Sequence, residues 1–324
     1  MNSTPLKILV PGIFAAELSK KLKVSHALTT IQDQTDSEIV KILSDTDVLV
    51  SGEFKAAWRG DKKTASPRLV HSVGAGVDGI DMASLPSGCT VCNVYGHERG
   101  VAEHAFMLML ALQRNLLGLD TALRKGDWTP QRVYLPELRQ RNLLILGLGH
   151  IGAELARWGH FLDMKVTALT RSPSKQRNET PALCAVGSLS ELEKHLPEAD
   201  FIVVAIPCTP ETESLIGEKE FQRMKPKAFV INVGRARVIN EEALYHALHT
   251  RRIAGAGLDV WYQYPEGEQV KRLPSRFPLQ ELDNVIMTPH KPTIETMEYR
   301  WGKIAENIGR FARGEPLQNV VCTA

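Results

Sequence analysis

Short unbroken apolar runs alternate along this chain with longer stretches of helical apolar spacing, a pattern that predicts an α/β fold. Strand-like runs begin at Leu6, Asp47 and Arg68, with helical or loop segments between them, and describe a small α/β unit. Val101 to Leu117 is apolar almost all round, which predicts one long buried helix. Such a helix exceeds what one small domain can cover, so a subunit contact is expected on it. A larger α/β unit opens with a strand at Leu143 to Leu146, a helical pattern from Ile151 to Phe161 and a strand from Lys165 to Leu169. It continues with strands near Phe201, Ala228, Gly255 and Val285. After Pro289 the pattern becomes one helix, Ile294 to Arg313, closed by Gly314, which most simply returns to the first unit. The predicted boundary is therefore discontinuous: residues 1–100 with 292–324, against 101–291. A cleft between the two would hold a ligand.

Chemistry enters at the turn after Leu146. Gly147, Gly149 and Gly152 stand in G-x-G-x-x-G spacing between a strand and a helix, with His150 and Ile151 inside the turn. In a dinucleotide site the first glycine permits the tight turn, the second admits the pyrophosphate, and the third lets helix and strand pack closely. The helix N-terminus adds free N–H groups and a partial positive charge. The end of the next strand selects the dinucleotide. NAD sites place Asp or Glu there for the ribose 2′-hydroxyl. This chain has Thr170-Arg171-Ser172, with Lys175 and Arg177 close behind. A guanidinium binds a 2′-phosphate through paired charge-assisted hydrogen bonds, and the two hydroxyls add more. The expected cofactor is NADP(H); NAD(H) is the alternative if this is only a solvated basic loop.

Composition narrows the classes. A chain of 324 residues, 43% hydrophobic, is long enough for two cores. A net charge of +2 advertises no field for nucleic acid. No apolar run approaches the roughly 20 residues of a membrane span, and the N-terminus reads as a first strand, not a signal segment. Five cysteines, few and odd in number, point to the reducing cytoplasm. Cys89-Thr-Val-Cys92 has C-x-x-C form, but strand residues three apart face opposite ways and no second pair follows. No metal site is expected.

Longer stretches resemble one family. They are His71-Ser-Val-Gly-Ala-Gly-Val-Asp-Gly-Ile-Asp81, Asn93-Val, Val101-Ala-Glu-His-Ala105 and Leu146-Gly-Leu-Gly-His-Ile-Gly152. Further on come Pro207-Cys-Thr-Pro-Glu-Thr212, Met224-Lys-Pro, Ile231-Asn-Val-Gly-Arg-Ala236, Gly257-Leu-Asp-Val260 and Thr288-Pro-His290. Together, and nearly end to end, these are similar to the D-isomer-specific 2-hydroxyacid dehydrogenases, which include phosphoglycerate, glyoxylate/hydroxypyruvate and phosphite dehydrogenases. The resemblance implies a flavodoxin-like substrate domain, a Rossmann cofactor domain, a homodimer built on the long helix, and a small anionic substrate. Reducing a 2-keto acid needs a cation for the carboxylate, a proton donor for the carbonyl oxygen and a hydride held on one face. Arg235 follows a buried strand and resembles the family's substrate-binding arginine; its guanidinium suits a carboxylate and can polarise the ketone. His290 matches the acid/base histidine. The backbone of Gly74, Ala75, Gly76 and Val77 is expected to offer N–H groups to the substrate carboxylate. By the same resemblance Pro207, Val233 and Gly234 fall against the cofactor. So does Asp259, near the nicotinamide, unless it caps its strand.

One departure concerns the acid/base machinery. The family carries a glutamate five positions after the aspartate matching Asp259, directly before a proline; here the run is Asp259-Val-Trp-Tyr-Gln-Tyr264-Pro265. A carboxylate at that place orients the imidazole and raises its pKa. The phenol of Tyr264 can orient the ring but brings no charge, so reduction is expected to peak at lower pH. The competing readings are that Glu266 or Glu268 swings in, or that Tyr264 only packs. Lys291, with Lys55 and Arg99, would favour a second anionic group on the substrate: a phosphate, phosphonate or sulfonate. Trp301 either closes the pocket or fills the core. Beyond an NADP(H)-linked oxidoreductase for 2-hydroxy or 2-keto acids, the alternatives are oxidation of an unusual donor such as phosphite, or a non-catalytic cofactor-binding sensor of corepressor type.

Overall fold

The computed structural model describes residues 4–60, 66–173, 185–265, 271–290 and 294–324, with 294–296 described as backbone. In chain order the strands of the first part are β1 (Leu6–Pro11), β2 (His26–Ile31), β3 (Val48–Val50), β4 (Glu53–Phe54), β5 (Leu69–His71), β6 (Gly79–Ile80) and β7 (Thr90–Cys92). Then come β8 (Asn142–Leu146), β9 (Lys165–Thr170), β10 (Ala185–Ser188), β11 (Phe201–Val204), β12 (Phe229–Asn232), β13 (Gly255–Leu258) and β14 (Val285–Met287), with β15 (Val320–Thr323) last. The chain divides into two compact units, Met1–His97 with Thr293–Ala324, and Glu98–Pro292.

In the first unit the sheet runs β15-β7-β5-β3-β1-β2. Its five parallel strands follow the flavodoxin-like order, and β15 pairs antiparallel with β7 at the edge. Two apolar layers cover it. One holds Cys92, Trp301 and Ile304, and the other holds Cys89, Phe54 and Trp58. The two cysteines of the C-x-x-C stretch therefore face different layers, and burial pushes their thiols up, to about 12 for Cys89 and about 11 for Cys92. Trp301 fills the core beside Phe14, ring centres 5.1 Å apart.

The second unit is an all-parallel sheet of seven strands, β10-β9-β8-β11-β12-β13-β14. This is the doubly wound order, with its reversal between β8 and β11. Both faces are covered, which explains why its strands read as unbroken apolar runs. Along β8, Leu144 and Leu146 enter one core while Leu143 and Ile145 enter the other. Each such side chain contributes about 1.5–3 kcal/mol by leaving water.

The long apolar stretch corrects the expectation of one buried helix. The helix there spans Glu98–Gln113, and a new helix resumes at Leu116–Arg124 after Asn115 takes a left-handed φ of 47°. Ala102, Ala105, Phe106, Leu108 and Met109 pack into the core, whereas Met107 and Leu110 are about half exposed and the second helix buries nothing. One sheet face covers one stripe of a helix, so an all-round apolar sequence leaves the far stripe outside. Among the described residues no helix is long and apolar enough to cross a membrane.

Candidate functional site

All the candidate groups of the second unit lie just beyond the carboxyl ends of its parallel strands, where open α/β sheets bind ligands. After β8 the three glycines have separate reasons. Gly147 takes a φ of 102°, and a Cβ there would lie 2.7 Å from the carbonyl oxygen of Ala205. A Cβ on Gly152 would overlap the carbonyl oxygen of Gly147, so helix and turn touch backbone to backbone. Around Gly149, which precedes the helix His150–Phe161, the space is open. Nothing in the protein demands glycine at 149, which fits a pyrophosphate lying over the helix N-terminus. His150 is exposed and Ile151 half-buried beside it.

A cavity of about 550 Å³ continues from this turn, lined by Gly147, Gly149, Thr170, Arg171, Ser172, Pro207 and Glu211 among others. That volume suits a small-molecule site. Thr170 is buried at the end of β9, while Arg171 and Ser172 are exposed. Glu211 faces the same space. The Thr209 hydroxyl, 2.6 Å away, holds its carboxyl below the ordinary range, and the Arg171 guanidinium adds to this. Pro207 is fixed by Thr212, whose hydroxyl donates to its carbonyl at 2.7 Å. Lys175 and Arg177 lie outside the described residues.

The ends of β12, β13 and β14 gather the remaining groups. Buried Asn232 closes the turn that carries Val233, Gly234 and Arg235: its amide donates to Arg235 O (3.0 Å) and its oxygen accepts from Gly234 N (3.1 Å). A Cβ on Gly234 would lie 2.8 Å from Ile206 O, so this turn and the one after β11 approach closely. The Arg235 guanidinium donates to Gly234 O at 2.8 Å. Asp259, 8% exposed, accepts the Thr288 hydroxyl at 2.6 Å, and His104 Nε2 lies 3.4 Å from the same oxygen. His290 takes a left-handed φ of 51° and its Nδ1 lies 3.0 Å from the Tyr264 hydroxyl. Burial lowers the His290 pKa from its ordinary value, Asp259 pulls it back up, and Arg235 adds to the lowering. Burial raises the pKa of Tyr264, keeping the phenol neutral, against the Trp261 N–H and Arg235, which lower it. The structure thus brings Arg235, Asp259, Tyr264 and His290 into one electrostatic neighbourhood. Asn232, His104 and Thr288 were not singled out from sequence, although each sits inside a stretch quoted for the family resemblance. Side-chain amides and hydroxyls flanking a charged residue were the available signal.

In the first unit the loop after β5 is held from within. Ser72 Oγ donates to Gly76 O (2.7 Å), Asn93 donates to Ala75 O (2.9 Å) and Val94 N to Gly74 O (3.2 Å). Among the described residues no protein acceptor takes the N–H of Ala75, Gly76 or Val77. Lys55 lies 3.9 Å from Glu53 and 4.0 Å from Asp36, and stacks over Trp58 at 5.3 Å. Its charge is therefore engaged locally. Arg99 is exposed; Lys291, Glu266 and Glu268 lie outside the described residues. Among the described residues no cluster of His, Cys, Asp or Glu could hold a metal ion.

Sheet order, glycine turn and strand-end cavity define an α/β dinucleotide-binding protein. The chain belongs to the D-isomer specific 2-hydroxyacid dehydrogenase family, whose NAD binding domain matches residues 106–291. It is 32% identical over 321 residues to D-3-phosphoglycerate dehydrogenase of Methanocaldococcus jannaschii, covering 98% of this chain and 59% of that protein. The chain spans only about half the length of the curated phosphoglycerate dehydrogenases it matches. It is 34% identical over 262 residues to glyoxylate reductase of Korarchaeum cryptofilum, covering 78% of this chain and 76% of that one. Among solved structures it is similar to an NADPH-dependent glyoxylate/hydroxypyruvate reductase of Sinorhizobium meliloti in complex with NADP and malonate. That match has a TM-score of 0.81 at 25% identity, covering 98% of this chain and 97% of that one.

Proposed function

We propose that this protein is an NADP(H)-dependent oxidoreductase that interconverts a small 2-keto acid and its 2-hydroxy acid, with residues 101–291 as the cofactor domain and the flanking segments as the substrate domain. The observation that carries the reading is the pairing, at neighbouring strand ends, of the Arg235 guanidinium with a His290 imidazole whose Nδ1 is occupied by Tyr264. With Nδ1 so engaged, Nε2 is the nitrogen left to hold the proton exchanged with the substrate oxygen. Arg235 binds the carboxylate and draws charge from the carbonyl. Gly147, Gly149, His150, Ile151 and Gly152 hold the pyrophosphate; Thr170, Arg171 and Ser172 hold the 2′-phosphate. Pro207, Val233, Gly234 and Asp259 border the nicotinamide end. Bound there, the cofactor supplies or accepts the hydride. In the first unit, the N–H groups of the 74–77 loop recognise an anionic group.

The half-exposed stripe of Met107 and Leu110, with exposed Leu116, Leu117 and Leu123 beyond it, supports a homodimer as its cover. Among the described residues Cys89, Cys92 and Cys322 form no disulfide, which suits a cytoplasmic protein. The relatives' names direct the first test: reduced-nicotinamide absorbance with glyoxylate, hydroxypyruvate, pyruvate and phosphonate analogues, each with NADPH and with NADH. Rapid NADPH consumption with a clear NADH deficit supports the reading. Silence with every ketone, despite tight NADPH binding, refutes it and shifts attention to an unusual donor or a sensor.

A further inference from the structure

We infer that this site divides between two residues the work that one carboxylate beside the histidine would do: Tyr264 orients the imidazole of His290, and Asp259, clamped by Thr288 and His104, supplies the negative charge that favours its protonated form. The inference deepens the assignment of His290 as the acid/base group.

The orienting half follows from proton counting. Tyr264 Oη accepts the backbone N–H of Trp261 at 3.1 Å, which leaves one lone pair and its own proton for His290 Nδ1 at 3.0 Å. A phenol donates to the neutral ring or accepts from the imidazolium, so it holds the ring in both states without a charge that prefers either. The charge must come from elsewhere. Among the described residues the charged groups felt by His290 are Asp259 and Arg235, and only Asp259 is negative.

Asp259 is held through both its backbone and its side chain. Its backbone N–H donates to Asn232 O at 3.1 Å, and its Oδ1 takes the Thr288 hydroxyl at 2.6 Å. With its single proton committed there, Thr288 Oγ1 can only accept from His104, whose Nε2 is 2.9 Å away and therefore carries a proton. Donors converging on a carboxylate keep it ionised. His104, on the helix Glu98–Gln113, is thus a positioning residue that acts through Thr288. The Thr288 carbonyl accepts both the His290 backbone N–H (3.0 Å) and the Trp261 indole N–H (2.7 Å). One threonine therefore anchors the charge with its hydroxyl and the histidine with its backbone.

The test is an NMR titration of the His290 imidazole in the full-length, cofactor-free protein, with the resonance assigned by its loss in His290→Gln. Asp259→Asn keeps an acceptor for Thr288 and removes only the charge; it should lower the titration midpoint by about one pH unit. Tyr264→Phe should leave the midpoint in place while changing the nitrogen shifts that report ring tautomer. Thr288→Val should move the midpoint in the same direction as Asp259→Asn but by less, and Thr288→Ser should restore it. Unmoved resonances of histidines remote from this network, His26 and His71, report an intact fold in each variant, whereas His104, which touches Thr288 and Asp259, is not used for that purpose. An unmoved midpoint in Asp259→Asn, or an equal drop in Tyr264→Phe, overturns the division. The titration needs no turnover, so a protein inactive on every keto acid that still shows this pattern loses the proposed activity and keeps this inference.

Discussion

His71 sets a limit on the acid side of this fold. Its ring ends β5 at 1% exposure, with Nδ1 2.9 Å from Ser72 O and Nε2 3.1 Å from the Asn307 amide nitrogen. A carbonyl only accepts and an amide nitrogen only donates, so a single neutral tautomer fits, protonated at Nδ1. A second proton would face the Asn307 donor inside an apolar layer. Burial, which outweighs the hydrogen bond to Ser72, lowers the pKa from 6.5 to about 4. The folded value lies below the unfolded one. The contribution is therefore complete above the unfolded pKa and is lost as pH falls from there toward the folded pKa. A gap of roughly 2.5 units at about 1.4 kcal/mol each costs about 3 kcal/mol by about pH 4, and about 2 kcal/mol by about pH 5. The consequences reach further, because Asn307 also ties Gln318 beside β15 (3.0 and 2.8 Å) and Ser72 holds the 74–77 loop. Urea unfolding of wild type and His71→Gln at about pH 7 and about pH 5 isolates the effect. The variant is weaker at neutrality, and its deficit should shrink by about 2 kcal/mol on acidification. A deficit independent of pH would refute the reasoning.

Four further outcomes are expected. Arg171→Ala should weaken binding of 2′,5′-ADP about tenfold and leave 5′-ADP unchanged in calorimetry; equal effects on both would remove Arg171 from the 2′-phosphate. Gly152→Ala, which forces a methyl onto the Gly147 carbonyl, should abolish NADPH binding by fluorescence and destabilise by about 2 kcal/mol or more. Leu117→Asp should yield monomers by light scattering without loss of helical circular dichroism, if a second copy covers that stripe. Keto-acid kcat/KM should fall as pH rises through the lowered His290 pKa, since the acid form disappears there, while hydroxy-acid oxidation should rise over the same interval. A reduction limb centred above the ordinary histidine value would contradict this.

Much of the second unit was legible because its strands are buried on both faces. An apolar run such as Leu143 to Leu146 has no exposed alternate to blur it, and the glycine spacing announces its turn. The same logic explains what was missed. Edge strand β2, His-Ala-Leu-Thr-Thr-Ile, is only partly covered, so its polar and apolar positions lack a clean period. Strand β15 sits at the other edge, mostly exposed, and acquires its strand character only by pairing with β7. The all-round apolar pattern at 101–117 predicts burial because hydropathy records what a face can cover, not whether a neighbour covers it. Asn115, the residue that breaks that helix, carries only a modest helix penalty by itself.

The candidate site divides along a similar line. Arg235 stands just past a buried strand, where ligands bind, while His290 and Tyr264 are marked by the stretches that carry the family resemblance. What local sequence cannot carry is the link from His104 through Thr288 to Asp259, because the first two are separated by 184 positions. Only sheet order brings that helix beside the ends of β13 and β14. Substituting a phenol for a carboxylate at 264 looks, along the chain, like the loss of a charge. In space the question is where the nearest remaining negative charge stands and what fixes it. A buried aspartate held by a threonine and a histidine answers both at once. On the proposed division, the acid/base character of His290 belongs to three strand ends and a helix, and position 264 sets which way the ring points.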